Sequence, residues 1–344
     1  MGRAQGAAPA GPRRLPETSA VLEVRHAVRG WLREFGDGPV AVALSGGADS
    51  LALTAAAVVE AVAVDALIVD HRLQEGSDEV ALAAAAAARA LGCRSARVLP
   101  VRVEGEGGLE AAARRARYSA LDAARAEAPV LLGHTLDDQA ETVLLGLARG
   151  SGGRSLRGMA PYAAPWGRPL LGVRRSVTRA VCADIGLRPH EDPHNSAPEF
   201  TRVRVRQEVL PLLEQVLGGG VAEALARTAR QLREDGEVLD ELADQLLKAA
   251  TRASDTGVAG YGGGTGISLS VETLATAPDA LRRRAIRRWL LDSGAKALTD
   301  GQLRAVDALV AAWRGQGGVA VGGGRPGTRL VAAREHGRLT LRGR

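Results

Sequence analysis

The sequence predicts an α/β protein whose N-terminal part is a doubly wound, mostly parallel sheet of five strands. Short apolar runs predict the strands, and they lie at 40–44, 64–69, 96–103, 129–133 and 168–171. Helical patterns separate them, at 49–60, 78–91, 109–127, 136–149 and 176–186. Strands that are apolar throughout and alternate with helices are typical of a parallel sheet covered on both faces.

Polar motifs directly follow three of these strands. Ser45 follows the first strand, Asp70 the second and His134 the fourth. In open α/β sheets, ligands bind at the carboxyl ends of the strands, where the strand order reverses. We therefore expect the three motifs to lie at the ligand-binding edge of the sheet.

Composition divides the chain into three parts. Residues 1–19 have no periodicity and are predicted to form a disordered tail, with an Arg-rich transit peptide as the alternative. A Gly-Gly-Gly sequence at 218–220 predicts a boundary between a catalytic domain over 20–216 and a second domain over 217–344. The second domain is predicted to be mainly helical, with a small terminal antiparallel sheet. Its helical patterns lie at 221–250, 279–293 and 299–314.

Charge and cysteine content narrow the class of protein. The net charge is +6, and all but two of the basic residues are arginines, which indicates either an acidic polymer as partner or a bias in codon use. Cys93 and Cys182 form no CxxC pair, which argues against a zinc site, an iron–sulfur cluster or a disulfide framework. The same cysteine pattern makes a reducing cytoplasm the expected compartment. No apolar stretch is long enough to span a bilayer, so we expect no membrane partner.

The sequence SGGADS at 45–50 predicts an anion-binding loop between a buried strand and a helix. Its glycines allow a tight turn, and the helix directs its positive end at the same place. Asp49 would repel a phosphate there unless a divalent cation lies between them, which predicts a magnesium-bound pyrophosphate group. The alternative is that Asp49 only caps the helix.

Four further motifs accompany this loop, at 69–77 (VDHRLQEGS), 110–118 (EAAARRARY), 133–142 (GHTLDDQAET) and 191–211 (EDPHNSAPEFTRVRVRQEVLP). SGGADS resembles the loop of the N-type ATP pyrophosphatases, the PP-loop superfamily. All five motifs in this order resemble the tRNA(Ile)-lysidine synthetase family. The resemblance is strong over residues 40–211 and weaker over LRRRAIRRWL at 281–290 and the residues that follow.

The resemblance implies an adenine nucleotide alpha-hydrolase-like fold and a ligase reaction with ATP and Mg²⁺. Such enzymes adenylate the C2 oxygen of the wobble cytidine in the CAU anticodon of tRNA(Ile), and free L-lysine then displaces AMP. The implied nucleotide site is formed by Ser45, Gly46, Gly47, Ala48, Asp49, Ser50, Asp70, His71 and His134. The implied catalytic residues are Asp49, Asp137, Arg114 and Arg202, with Asp49 as the magnesium ligand. Arg117, Tyr118, Asp138 and Arg206 are the implied contacts with substrate.

Several of these assignments have a structural alternative. Asp137 is our candidate for the base that deprotonates lysine, ahead of Asp138, but the same sequence also predicts a capped helix start. Arg114 lies four residues after Glu110, which is typical of a surface ion pair. TRVRVR at 201–206 aligns Arg202 and Arg206 as a helix, and all three of its arginines as a strand.

The segment after the second strand departs from the family pattern. Arg72 stands where the family has Gly, and Gln74 stands where an Arg is common. If the missing Arg contributes to substrate binding, another residue must serve, and Arg72 is the nearest.

A helical wheel of residues 281–290 separates an apolar arc from an arginine face. Ala285, Ile286, Trp289 and Leu290 form the arc, and the face consists of Arg283, Arg284, Arg287 and Arg288. Four like charges without a Glu among them repel each other, which favours an RNA backbone as partner over a merely solvated face.

Two rival functions remain at this point, a tRNA 2-thiolation enzyme of the same superfamily and a non-catalytic RNA-binding relic. Thiolases of this kind commonly use cysteines, and neither Cys93 nor Cys182 is adjacent to a motif. The oligomeric state is left open, with a homodimer as one alternative.

Overall fold

The computed structural model describes residues 15–72, 76–104, 108–150, 152–191, 200–255, 268–324 and 329–343. The predicted tail lies outside these ranges up to residue 14, and Thr18 caps the first helix, which begins at Ser19. The chain forms two compact units, Met1–Arg230 and Gln231–Arg344. The boundary between a catalytic domain ending at residue 216 and a second domain after it stays a prediction.

The first unit is built on a sheet of six strands in the order β3-β2-β1-β4-β6-β5. The strands are β1 Val40–Ala43, β2 Val64–Asp70, β3 Ser95–Pro100, β4 Val130–Leu131, β5 Tyr162–Ala163 and β6 Trp166–Gly167. All neighbours are parallel except β5 and β6. The predicted doubly wound parallel sheet is therefore confirmed, with five parallel strands and one added antiparallel strand at the edge.

The fifth strand was predicted two residues too late. Residues 168–171 lie in a turn, and the strand that pairs with β4 is β6 at Trp166–Gly167. Pro169 has no N–H to donate, which prevents the apolar run from continuing the ladder. The edge strand β5 has only two residues, which is too short to produce a periodic pattern.

Helices cover both faces of this sheet. They are α1 Ser19–Phe35, α2 Ala48–Glu60, α3 Ser77–Leu91, α4 Leu109–Ala124, α5 Leu136–Ala148, α6 Gly153–Leu156, α7 Arg175–Asp184, α8 Thr201–Arg204 and α9 Leu210–Leu217, with a π-helical turn Val205–Val209 between the last two. Alternate side chains of β1 point to opposite cores. Val40 and Val42 pack with α1, α2 and α3, and Ala41 and Ala43 pack with α4.

Helix α1 was not predicted, although its sequence carried the signal. Val21, Val24, Val28, Trp31 and Leu32 are all buried, and their spacing is that of one helix face. The helix packs on the same core as α2 and α7. TRVRVR at 201–206 is helical, so Arg202 and Arg206 align as predicted for the helix.

The strand order reverses between β1 and β4. The chain moves from β1 outward through β2 to β3 and then returns to pair β4 with the other side of β1. This is the switch point at which open α/β sheets bind ligands. The loops from β1 to α2 and from β4 to α5 both start there.

The second unit has its own core and a four-stranded antiparallel sheet in the order β7-β10-β9-β8. Its elements are β7 Leu269–Ser270, α11 Val271–Ala275, α12 Asp279–Asp292, α13 Asp300–Ala311, β8 Val319–Val321, β9 Leu330–Glu335 and β10 Arg338–Gly343. The long helix α10, Val221–Asp255, includes the division between the units. The predicted helices and terminal sheet are confirmed.

Within the described ranges, no single helix is long and apolar enough to cross a membrane. One bent pair, Thr201–Leu217 with Val221–Arg252, reaches the required length and composition only when its two helices are counted together.

Close packing at β6 makes Gly167 sensitive to substitution. A Cβ atom at Gly167 would lie 2.5 Å from Cζ2 of Trp31 and 2.7 Å from Cδ2 of Leu131. We expect Gly167→Ala to destabilise the protein by about 1–3 kcal/mol. The control Gly30→Ala has open space in α1 and is expected to be neutral or stabilising. Urea unfolding followed by circular dichroism compares them, and equal midpoints would contradict the packing at β6.

Candidate active site

The phosphate loop, residues 45–50, adopts the tight turn that its glycines predict. Gly46 has a φ of +84°, and Gly47 immediately precedes α2. The hydroxyl of Ser50 donates to the Gly47 carbonyl at 2.9 Å and accepts from the Ser45 N–H at 3.2 Å. The loop is thus held by its own side chains, and the unsatisfied N–H groups of the first turn of α2 face the site.

The start of α5 forms the opposite wall. Thr135 caps the helix, and Asp138 completes a capping box by accepting the Thr135 N–H at 2.8 Å. A Cβ atom at Gly133 would lie 3.0 Å from the backbone carbon of Asp49, so β4 and α2 approach each other closely there. The two motifs therefore share one cavity.

This cavity has a volume of about 360 Å³. It is lined by Ala43, Ser45, Gly47, Ala48, Asp49, Ser50, Arg117, Gly133, His134, Asp138, Arg175, Arg179, His190, Glu191, Arg206 and Gln207. Loop, strand-end and helical motifs that are far apart in sequence thus meet at the switch point of the sheet.

An ion-pair network lies at one side of the cavity. It joins three carboxylates, Asp49, Asp138 and Glu141, to three arginines, Arg175, Arg202 and Arg206. Glu141 is fully buried, and its carboxylate contacts Arg206 at 2.7 Å, Arg202 at 3.0 Å and Arg175 at 3.5 Å. Asp138 contacts Arg175 at 2.7 Å and Arg206 at 3.3 Å. Every charge in this network has an opposite charge beside it.

Asp49 is held at both carboxylate oxygens. Oδ1 accepts from the hydroxyl of Thr178, and Oδ2 lies 3.3 Å from Nε of Arg175. Burial raises the pKa of Asp49, against the effect of Thr178 and Arg175. For Asp138, burial also acts upward, but Arg175 and the hydrogen bonds from Thr135 outweigh it, so the pKa of Asp138 is lowered. Asp138 is therefore ionised at neutral pH.

A second group of arginines, Arg114, Arg117 and Arg168, surrounds Tyr118 and has no carboxylate partner among the described residues. The guanidinium of Arg114 lies 5.0 Å from the Tyr118 ring centroid, and Nη1 of Arg168 donates to the Ala160 carbonyl at 3.0 Å. Burial lowers the pKa of both Arg117 and Arg168. Positive charge that is partly desolvated and unbalanced favours an anion as ligand.

Two histidines near Arg117 are neutral. Burial lowers the pKa of His134 to about 3, and burial together with Arg117 lowers the pKa of His71. Nδ1 of each ring is buried without a hydrogen-bond partner among the described residues. Both imidazoles therefore offer polar atoms to a ligand without adding charge.

The structure brings most of the predicted nucleotide residues together. Ser45, Gly47, Ala48, Asp49, Ser50, Arg117, His134, Asp138 and Arg206 line the cavity, and Gly46 lines a smaller one beside it. Asp70, His71, Arg114, Tyr118, Asp137 and Arg202 are outside the lining. The carboxylate of Asp70 accepts from Arg72 N–H at 3.0 Å and from Ser77 at 2.9 Å, so it holds the start of α3.

The two aspartates at the start of α5 lie in different surroundings. Asp138 lines the cavity, whereas Asp137 accepts the backbone N–H of Arg175 at 2.7 Å and pairs with Arg174 at 3.4 Å. The N-capping alternative also holds, but through Thr135 and Asp138. Catalysis by Asp137 stays a prediction.

Sequence reasoning missed Glu141, Arg175, Arg179, His190 and Glu191. Glu141 was visible within GHTLDDQAET, but Arg175 and Arg179 follow no quoted motif. Residues 192–199 of the last motif, Gln74 and the side chain of Glu110 lie outside the described residues.

In α12, the structure confirms the predicted apolar arc and shows ion pairs on the predicted arginine face. Ala285, Ile286, Trp289 and Leu290 are buried. There is no Glu among the four arginines, but aspartates from other positions reach three of them. Arg284 pairs with Asp240 at 2.5 Å, Arg288 with Asp292 at 2.9 Å and Arg283 with Asp279 at 3.7 Å, and Arg282, which the wheel did not assign, is buried against Asp307 at 2.6 Å.

A phosphate loop without a lysine lies at the switch point of a parallel sheet and shares a cavity with Arg117, which has no carboxylate partner among the described residues. This arrangement defines a nucleotide-binding protein of the PP-loop class. Residues 21–213 match the family model of the PP-loop domain, and residues 269–340 match that of the TilS substrate binding domain. The chain uses ATP, as members of this class do.

Full-length relatives define the family more closely. The chain is 76% identical over 322 residues to the tRNA(Ile)-lysidine synthase of Nocardia farcinica, covering 93% of this chain and 97% of that protein. It is 68% identical over 328 residues to the tRNA(Ile)-lysidine synthase of Rhodococcus erythropolis, covering 95% and 97%. The chain belongs to the tRNA(Ile)-lysidine synthase family, which confirms the predicted class of ligase-type, tRNA-modifying enzyme.

A solved structure of the U34-tRNA thiolase NcsA from Methanococcus maripaludis with its [4Fe-4S] cluster is also similar. The TM-score is 0.49 at 18% identity, with 62% of this chain and 80% of that chain covered. Nothing about activity follows from a likeness at this level.

The buried network makes Glu141 a test of the site's architecture. We expect Glu141→Gln to cost about 3 kcal/mol of stability, because three arginines lose the charge of their buried partner. The control Glu208→Gln breaks an exposed pair with Arg204 and is expected to leave the unfolding midpoint unchanged. Urea unfolding followed by circular dichroism compares the two, and a midpoint of Glu141→Gln equal to wild type would refute the network.

Proposed function

We propose that this enzyme attaches free lysine to C2 of the wobble cytidine of tRNA(Ile) with a CAU anticodon. ATP activates the base, and AMP and pyrophosphate are released. The observation that carries the proposal is the cavity at the switch point, whose phosphate loop faces both unbalanced arginines and a carboxylate network. Identity of 76% to a tRNA(Ile)-lysidine synthase supports the choice of substrates. We place the reaction in the cytoplasm, where tRNA, ATP and free lysine occur together.

In the first step, the C2 oxygen of cytidine attacks the α-phosphate of ATP, and the bond to pyrophosphate breaks. Negative charge on the phosphates is met by the N–H groups of the loop and by Arg117, which lines the cavity without a carboxylate partner among the described residues. Neutral His134 contributes a hydrogen-bonding atom. Arg114 and Tyr118 are outside the lining, and their contact with substrate stays a prediction.

Magnesium suits the carboxylates of this site. No group of three or more His, Cys, Asp or Glu side chains is arranged to hold a metal in the part of the chain that the structure describes. Mg²⁺ is usually held by one or two carboxylates together with substrate phosphates, and Asp49 meets that requirement. When bound, the ion would neutralise the phosphates of ATP.

In the second step, the amine of lysine attacks C2, a proton leaves the nitrogen and the bond from C2 to the AMP oxygen breaks. Asp138 is ionised in the cavity and is suited to receive the ammonium group before attack. Deprotonation requires a base or a water relay, for which Asp137 stays our candidate. Arg202 and Arg206 act on this side of the cavity through Glu141.

The thiolase alternative has weaker support than the ligase. Burial raises the pKa of Cys93 to about 12 and that of Cys182 to about 11. Both are thiols at neutral pH, whereas sulfur transfer requires a thiolate. A relic without catalysis is disfavoured by the complete charge network of the cavity. The homodimer stays a prediction.

The reaction is tested by incubating the enzyme with ATP, labelled lysine and a CAU-anticodon tRNA(Ile) transcript. We expect a tRNA with the mass of a lysyl adduct, and pyrophosphate release that needs all three substrates. Asp49→Asn should keep its fold and lose pyrophosphate release on the order of a hundredfold, because the metal loses a ligand.

Asp122→Asn, an exposed change on α4, is the control and should turn over as wild type does. Sulfur exchange instead of lysyl addition would favour the thiolase, and no turnover by folded enzyme would favour the relic. Near wild-type turnover of Asp49→Asn would remove magnesium from the function of the loop.

The arginine face of α12 is proposed to contact the RNA backbone, for which its arginines would exchange aspartates for phosphates. We expect Arg283→Glu with Arg284→Glu to weaken tRNA binding and to flatten its dependence on salt. Arg33→Glu with Arg89→Glu changes the net charge equally on α1 and α3 and serves as control. Filter binding at several salt concentrations gives the slope of tRNA affinity against salt for both double variants. A slope of the α12 variant equal to that of wild type would mean that its arginines only pair with aspartates.

A further inference from the structure

Arg175 contacts three carboxylates of the cavity with its three guanidinium nitrogens. Nε lies 3.3 Å from Asp49, Nη2 lies 2.7 Å from Asp138, and Nη1 lies 3.5 Å from Glu141. The backbone N–H of Arg175 donates to Asp137 at 2.7 Å. Main chain and side chain are therefore both attached to α5, and the contact with Asp49 is the one that reaches across the cavity to α2.

A metal ion bound to Asp49 would compete with Arg175 for the same carboxylate. Oδ1 accepts the hydroxyl of Thr178, and Nε of Arg175 approaches Oδ2. This contact is 0.6 Å longer than that between Arg175 and Asp138, from 3.3 and 2.7 Å. Two positive charges at one carboxylate oxygen repel each other, so a cation on Asp49 must weaken the hold of Arg175.

We propose that Arg175 is a positioning residue that holds Asp49 until a divalent cation binds there and then yields it, while it keeps Asp138 in place. The proposal rests on the function above, in which Asp49 is a ligand of magnesium. Its consequence is that free metal binds weakly, because it must displace Arg175. Metal that arrives with ATP brings phosphate ligands and binds well, so metal binding is coupled to nucleotide binding.

The test measures binding of Mn²⁺ alone to the full chain by electron paramagnetic resonance, without nucleotide, lysine or RNA. We expect Arg175→Gln to bind Mn²⁺ at least about tenfold more tightly than wild type, because a unit charge beside the ion is removed. The gain should disappear in Arg175→Gln with Asp49→Asn. A merely structural role of Arg175 predicts a loss of affinity and not a gain.

Arg204→Gln is the control. Arg204 is exposed on α8, outside the cavity lining, and pairs with Glu208 at 2.9 Å. We expect its Mn²⁺ affinity to stay within about twofold of wild type. Circular dichroism checks the fold of each variant. If Arg175→Gln does not fold, Arg175→Lys takes its place in the test. Its side chain keeps a positive charge but cannot reach three carboxylates, so we expect a smaller gain in Mn²⁺ affinity, about threefold.

An affinity of the folded Arg175 variant equal to or weaker than wild type overturns the proposal. The lysine-addition assay separates this failure from failure of the function. If wild type forms the lysyl adduct and the Arg175 variant shows no gain, only the Arg175 proposal fails. If wild type forms no adduct, the function fails whatever the Mn²⁺ affinity is.

Discussion

The fully buried carboxylate of Glu141 is the interaction on which the site depends. A carboxylate without solvent must be paired, and Glu141 is paired with Arg175 of α7, with Arg202 of α8 and with Arg206 of the following π-helical turn. Helix α7 is separated in sequence from α8 and the adjoining π-helical turn, and one charge on α5 fixes where all of them lie. The positions of Asp49 and Asp138 follow, since each is held by an arginine of this network.

The cavity is thereby divided into two electrostatic regions. At the α5 side, arginines and carboxylates balance, and a cation can enter by taking the place of an arginine. At the α4 side, Arg117 lines the cavity and Arg168 lies near it. Neither has a carboxylate partner among the described residues and burial lowers the pKa of both, so that region favours an anion. A reaction that needs a polyphosphate and an ammonium compound in one cavity requires such a division, because the two substrates carry opposite charges.

The sequence was most informative where function constrains consecutive residues. The turn at Gly46 needs a glycine, and the helix start at Ala48 follows at once, so the phosphate loop can be recognised from its six letters. The sequence was less informative about which side chains contact each other. The sequence does not show whether Asp137 or Asp138 faces the cavity, because adjacent helical residues point 100° apart and only the packing of α7 decides it. The ion pairs of α12 are not visible in the sequence for a similar reason, since Asp240 and Asp307 come from other helices.

By itself, the sequence determined the parallel α/β sheet, the anion-binding loop and the family of the enzyme. These features are encoded in local periodicity and in motifs whose residues are neighbours in the chain, so they can be read without knowing the fold. The tertiary structure alone decided which arginines are compensated and which are available to an anion. Compensation depends on distances between side chains of different helices, such as Arg175 and Asp49, which are 126 residues apart, and no pattern within one segment carries that information.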